Sequence, residues 1–311
     1  MSDFATLEKR LKNDFQILDE LRAEKLRNLS SITNRNTIAY YSGFLTPHPA
    51  RMGYEINDLD VNALMNVVYG MDRSKGLDLI LHTPGGGIAA TEQIVQYLRN
   101  LFNNNIRCIV PQIAMSAGTM IACAGKSILM GRQSCLGPID PQLLGCPCHG
   151  VIEEFETAVQ QIQDNPARIA VWRPIIEKYN PTFLGECQKA IDLSNQLVEN
   201  WLATSMFVSM PDNEKMNTLI PKEMSPQERA HFVVGKLSNH QNTKTHDRHI
   251  SAGEAQILGL YIEMLEEDQN LQDAVLSVHH VFMLTFMHST LIKIVESDSG
   301  RRFMINGGKP G

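Results

Sequence analysis

The stretch from Asp78 to Leu143 leaves this chain little choice of fold. Leu77 to Leu81 is a short apolar run that ends at His82-Thr83-Pro84 and the glycines Gly85, Gly86 and Gly87. A helical pattern follows, then a second apolar run, Ile106 to Val110, and a turn of small residues with one serine, Ser116. A further short helix leads to a third run, Ser127 to Met130. Strand, glycine turn, helix, strand, serine turn, helix, strand is repeated right-handed α/β winding. Both turns that can carry chemistry lie where a strand hands over to a helix. Backbone N–H groups there are free to hold an anion.

The flanks add elements to this centre. Residues 3–29 alternate charged and apolar residues at helical spacing, an amphipathic helix that packs either on a partner or on its own domain. Thr37 to Leu45 reads as the first strand, and Val61 to Tyr69 as a helix. After Pro141, Val151 to Gln163, Ile169 to Tyr179, Phe183 to Met206 and Pro226 to Leu237 carry helical periodicity, a layer laid on the α/β core. Ser251 and Glu254 have capping-box spacing. A C-terminal helix is expected from Leu271 to about Glu296. The organisation read from these patterns is an arm over 1–33, a core over 34–145 plus 238–262, a helical insertion over 146–237, and a C-terminal helix and tail over 263–311.

Composition removes several function classes. A formal net charge of −6 without a basic run argues against nucleic-acid binding. The segment MSDFATLEKRLKND has no apolar core behind a basic start, and no stretch of about twenty residues is free of strong polar groups. The expectation is a cytoplasmic protein with no membrane span. Six cysteines sit mostly singly in apolar patterns, as small buried residues do. Cys146-Pro147-Cys148-His149 lacks the second ligand pair of a structural zinc site, and no Lys-Ser or Lys-Thr follows the glycines as in a phosphate loop. No metal or cofactor is implied.

A serine is a weak nucleophile unless a base takes its proton and donors stabilise the oxyanion. Ser116 opens a helix, where the N–H of Ala117 faces a developing oxyanion, and Gly86 and Gly87 at the neighbouring strand end can supply a second N–H. Each motif alone reads more readily as a plain N-cap or a tight turn. The two in tandem favour catalysis.

The segments TPGG, AMSAGTMIA and MGRQSCLGPIDPQ resemble the Clp-protease/crotonase superfamily, and more closely the serine dehydrogenase proteinase family, relatives of signal peptide peptidase A. The resemblance covers about Thr37 to Leu260. It implies a Clp-protease/crotonase-like α/β spiral of strand–strand–helix units and a serine peptidase with Ser116 as nucleophile. Gly86 or Gly87 with Ala117 would be the oxyanion donors. It also implies a homo-oligomer, and extended peptide substrates added as a strand beside the glycine turn.

The base is the open question. Gly137-Pro138-Ile139-Asp140-Pro141 stands where Clp peptidases carry their histidine, and no lysine lies between Lys126 and Lys178. Lys126 is ten residues along a helix from Ser116, about 15 Å away. The resemblance therefore points to a triad in the order Ser, Asp, His, with Asp140 orienting an imidazole. His246 is the first choice for that imidazole, with His249, His240 and His149 as alternatives and Asp247 as a second possible orienter. Two other readings stand beside the peptidase. One is a silent binding or assembly protein of the same fold, and the other a crotonase-type acyl-CoA enzyme.

Overall fold

The computed structural model describes residues 16–46, 53–211, 220, 223–238 and 247–307. Helix α1 (Gln16–Thr33) precedes strand β1 (Asn36–Ser42) and helix α2 (Leu59–Val67). The winding then runs β2 (Leu77–His82), α3 (Ile88–Phe102), β3 (Ile106–Val110), β4 (Ile113–Ala114), α4 (Ala117–Cys123) and β5 (Ser127–Met130). Three of these strands begin and end within a residue of the apolar runs that announce them.

β1, β2, β3 and β5 lie side by side and parallel, and β10 (Ile262–Met264) extends them beyond β5. Every residue of β2 is buried, as expected of a parallel strand covered on both faces. Alternation along the strands divides two cores. Ile38, Tyr40, Leu79, Leu81, Cys108 and Val110 face α2, α3 and α4. Ala39, Tyr41, Ile80 and Ile109 face Leu26 and Leu29 of α1, and Val278 and Phe282 of α10 (Gln269–Met287). The strands advance in one direction across the sheet with their helices on one face, as right-handed crossovers require.

The amphipathic N-terminal helix thus packs, over its described part, on its own domain. Arg22 is fully buried beneath it, donating through Nε to Glu296 Oε2 (2.7 Å) and through NH1 to Thr285 Oγ1 (3.0 Å). The C-terminal expectation needs correction. The helix ends at Met287, and two strands follow, β11 (Leu291–Ser297) and β12 (Arg302–Asn306), antiparallel at the sheet's other edge beside β1. The β-branched sequence Leu291-Ile292-Lys293-Ile294-Val295 favours a strand once the helix stops. It reads as helical only when Lys293 is taken for a solvated charge.

A small second sheet stands at the C-terminal ends of the parallel strands. In it β4 runs parallel to β6 (Cys135–Leu136), which pairs antiparallel with β9 (Ile250–Ser251); between these two in the chain, β7 (Gln142–Leu143) and β8 (Cys146–Pro147) form an antiparallel pair of their own. The capping box expected at Ser251 and Glu254 opens α9 (Ala252–Leu258). The helical layer contains α5 (Cys148–Asp164), α6 (Ile169–Ile176), α7 (Phe183–Trp201) and α8 (Pro226–Leu237). Among the described residues no helix is long and apolar enough to cross a membrane.

At the opposite ends of the strands, Arg35 and Arg107 flank the buried Asp78 at 2.7 and 2.8 Å, and Lys126 Nζ donates to Asn105 Oδ1. Lys126 belongs to that end, away from the serine turn.

His82 closes β2 in full burial. Its Nδ1 donates to the Ser42 carbonyl at 3.0 Å, and Nε2 lies 3.2 Å from the Gln112 side chain. Its ring stacks on Tyr41, whose hydroxyl is 3.3 Å from His279 Nδ1. Burial lowers His82 from 6.5 to about 4, and lowers His279 well below the same ordinary value, helped by the neighbouring charges of His82 and His280. The unfolded chain therefore binds more protons than the native one below pH 6.5. Stability should be complete above that pH and fall as pH drops toward 4, by about 3 kcal/mol from His82 alone. Urea midpoints measured from pH 7 to 4 should follow this fall, and His82→Asn should make it shallower, leaving the share that His279 contributes.

Candidate active site

Only Met115 and Ser116 separate β4 from α4, so Ser116 must make the strand-to-helix turn almost alone. It does so at φ 49° and ψ −114°, a region that costs a non-glycine residue roughly 1–3 kcal/mol. The side chain gives nothing back as a cap. It makes no capping hydrogen bond, and its hydroxyl has no partner among the described residues. The residue is half-buried.

The residues after it explain the motif Ser-Ala-Gly-Thr. Gly118 lies against Thr83, where a Cβ would come 2.5 Å from Thr83 Cγ2. Thr119 Oγ1 donates to the Ala114 carbonyl at 2.8 Å and accepts the Gly137 N–H at 2.9 Å. Helix α4 is thereby tied to the glycine turn on one side and to the Gly137–Pro141 segment on the other.

The two turns touch. Gly85 has φ +100°, and a Cβ there would stand 2.8 Å from both the Met115 carbonyl oxygen and Ser116 Cβ. Backbone bonding changes partner at this residue. Before it, Thr83 N–H donates to Ile113 O (3.2 Å) and Thr83 O accepts from Met115 N–H (3.0 Å). After it, Gly85 O accepts the Ile56 N–H at 2.8 Å, and the Gly87 N–H donates to Ile56 O at 2.9 Å. Gly86 lies between these two bonds, and strand alternation turns its own N–H away from Ile56.

Gly87, expected as a donor, therefore spends its N–H on Ile56. The amides of Gly86 and Ala117 have no acceptor among the described residues. Ala117 is open because a helix's first N–H groups have no partner within the helix.

Asp140 is fully buried in a segment fixed on either side of it. Ile139 N–H donates to Leu237 O at 3.2 Å, Ser194 Oγ donates to Ile139 O at 3.1 Å, and Pro141 O accepts the Cys148 N–H at 2.9 Å. Burial, a bond with Cys187 and then the Asp140 charge push the Cys148 thiol up to about 12. The C-x-C-H motif accordingly packs Cys148 into an apolar cluster with Cys187 and Phe183.

The candidate bases are spread out. His149 is half-buried at the start of α5, and His249 is exposed one residue before β9. His240 and His246 lie outside the described residues. His82, the histidine nearest the glycine turn in sequence, is no base near neutral pH, since both ring nitrogens are engaged and burial holds it at about 4. Three contributors escaped the sequence reading. Ile56 holds the glycine turn, Gly85 supplies the close approach, and Thr119 ties helix to loop. Only the run of three glycines signalled any of them.

Residues 17–176 match the family of ClpP-like SDH-type serine proteinases. The match covers just over half of the chain, and the chain belongs to that family. It includes Gly85–Gly87, Ser116, Asp140 and His149 and ends before His240. The chain is also similar to two uncharacterized proteins of Methanocaldococcus jannaschii. One is 38% identical over 97 residues, 31% of this chain and 34% of the relative, and the other 36% identical over 88 residues, 28% and 30%. The chain thus spans about a third of the length of the curated relatives it matches.

The strain at the two turns has opposite consequences for substitution. Ser116→Gly relieves the backbone at a smaller cost in unfolded-state entropy and should raise the unfolding free energy by about 1 kcal/mol. Gly85→Ala adds a methyl at positive φ against the Met115 carbonyl and should lower it by about 2–4 kcal/mol. Urea denaturation of the two variants beside the parent chain measures both.

Proposed function

We propose that this member of a serine proteinase family cleaves extended or unfolded peptides through an acyl-enzyme at Ser116. The supporting observation is the pairing of a strained serine, whose hydroxyl is not spent on capping, with two open amides beside it. A hydroxyl held at a helix start only to cap it would make the capping bond.

In the proposed reaction Ser116 Oγ attacks the scissile carbonyl and passes its proton to a base. The carbonyl oxygen, now negative, accepts hydrogen bonds from the Gly86 and Ala117 N–H groups. The tetrahedral intermediate collapses as the base protonates the leaving amine, and water then releases the acyl group by the same steps in reverse roles. The edge of the glycine turn toward Ile56 is already bonded within the chain, so a substrate strand would add on its other side.

For the base we keep the triad Ser116, Asp140 and His246. Asp140 is fully buried in the segment that follows β6, and the order Ser, Asp, His is the one that the likeness to the serine proteinase family implies. His249 is three positions nearer β9 and exposed.

Self-association belongs to the same proposal. Helix α6 is strongly apolar, yet none of its residues is buried, and Val171 is 65% exposed. Beside it Ile152, Phe155, Val159 and Leu184 line an apolar groove of about 560 Å³ between α5 and α7. Apolar surface of this kind is commonly covered by another subunit. The proposed location is the cytoplasm.

Hydrolysis of a fluorogenic unfolded-protein substrate by the purified chain tests the reading. Ser116→Ala and His246→Ala should each lower kcat/KM by about 10³-fold or more, while His249→Ala stays within about threefold. Undiminished hydrolysis by Ser116→Ala would refute the proposal.

A further inference from the structure

One buried ion pair stands next to the site without belonging to it. Lys293, in the middle of β11, is 1% exposed, and Asp60, in the first turn of α2, is fully buried. Lys293 Nζ donates to Asp60 Oδ1 and Oδ2, both at 2.9 Å, and to the Glu55 carbonyl at 2.8 Å. All three ammonium hydrogens have an acceptor. Asp60 Oδ2 also accepts the Tyr40 hydroxyl (2.8 Å) and the Asn57 N–H (2.9 Å). Burial, then the charge of Asp60, push the Tyr40 phenol well above its ordinary value, so it remains a donor.

The two backbone groups this network holds are the Glu55 carbonyl and the Asn57 N–H. They flank Ile56, which makes both hydrogen bonds that fix the glycine turn. Tight space adds to the hold, because a Cβ on Gly86 would fall 2.3 Å from the Ile56 backbone. An ionic clamp beneath Ile56 therefore passes through one residue to Gly85 and Gly87, and sets the direction of the peptide N–H between them.

We propose that the Lys293–Asp60 pair is a positioning device for the Gly86 N–H, through Ile56. The proposal rests on the reading of that amide as an oxyanion donor. Buried ion pairs contribute little net stability compared with apolar replacements, and their best-attested use is to specify one arrangement. Here the arrangement specified is the register of residues 55–57 against the glycine turn. Lys293 is no catalytic residue in this account, for it reaches the site only through Ile56.

Lys293→Met leaves Asp60 buried without its cation and risks misfolding, so the double variant Lys293→Met/Asp60→Asn is made beside it. Amide hydrogen exchange is read at Ile56 and Gly87, with Leu79 and Ile109 in β2 and β3 as references. In either folded variant, exchange at Ile56 and Gly87 should quicken about tenfold or more, while the reference amides keep their rates. Peptide hydrolysis should lose about 10–100-fold in kcat with KM within about threefold, since a donor misplaced by about an ångström acts on the transition state. Unchanged exchange at Ile56 and Gly87 in the folded double variant overturns the proposal. So does equal acceleration at the reference amides, which marks a merely structural pair. Deprotection with kcat intact overturns the catalytic part. A parent chain without hydrolysis defeats the peptidase reading instead, and the exchange rates then still decide whether the pair holds the turn.

Discussion

The approach of Gly85 to Ser116 is the contact on which the rest of the site depends. A single added methyl would collide with the Met115 carbonyl and Ser116 Cβ at 2.8 Å, so the two turns meet only because one of them has no side chain. From this contact follow the other small residues. Gly118 must be bare to pass Thr83, and Gly86 must be bare to lie on Ile56. The parallel strands bring both turns to the same end of the sheet, and glycine lets them close the remaining gap. The strain at Ser116 is the counterpart, since a residue with a side chain occupies the turn where glycine would be easier.

Hydrogen bonding in the cradle engages Thr83, Gly85 and Gly87 with β4 or with Ile56, while the amides of Gly86 and Ala117 have no acceptor among the described residues. In the proposed reaction such amides would need no conformational change to meet a developing charge, which is the basis of electrostatic preorganisation. The buried network of Lys293, Asp60 and Tyr40 lies one residue behind that cradle, and its cost in desolvation suits a fixed geometry better than it suits stability.

Much of this was legible in the chain itself. The runs Leu77–Leu81, Ile106–Val110 and Ser127–Met130 are strands because apolar runs that short, closed by glycine or small-residue turns, have no other way to be buried in a parallel sheet. The pairing of the glycine and serine turns followed from the winding. What stayed hidden depended on distant partners. Lys293 meets Asp60 across 233 residues, so it looked like a polar break in an apolar helix rather than the middle of a buried strand. The loss of Gly87 as a donor depends on Ile56, in a stretch with no motif. Among the histidines, sequence spacing gave no means of telling the buried structural ring of His82 from a ring free to move a proton.

The central claim is that Ser116, held between these two turns, is a nucleophile. Treatment of the native chain with a fluorophosphonate, followed by proteolytic mapping and mass spectrometry, tests it without requiring the physiological substrate. The account predicts one phosphonylated serine, Ser116, with labelling abolished when the chain is unfolded first. A native chain that stays unlabelled at Ser116, or is labelled at another serine alone, would contradict it.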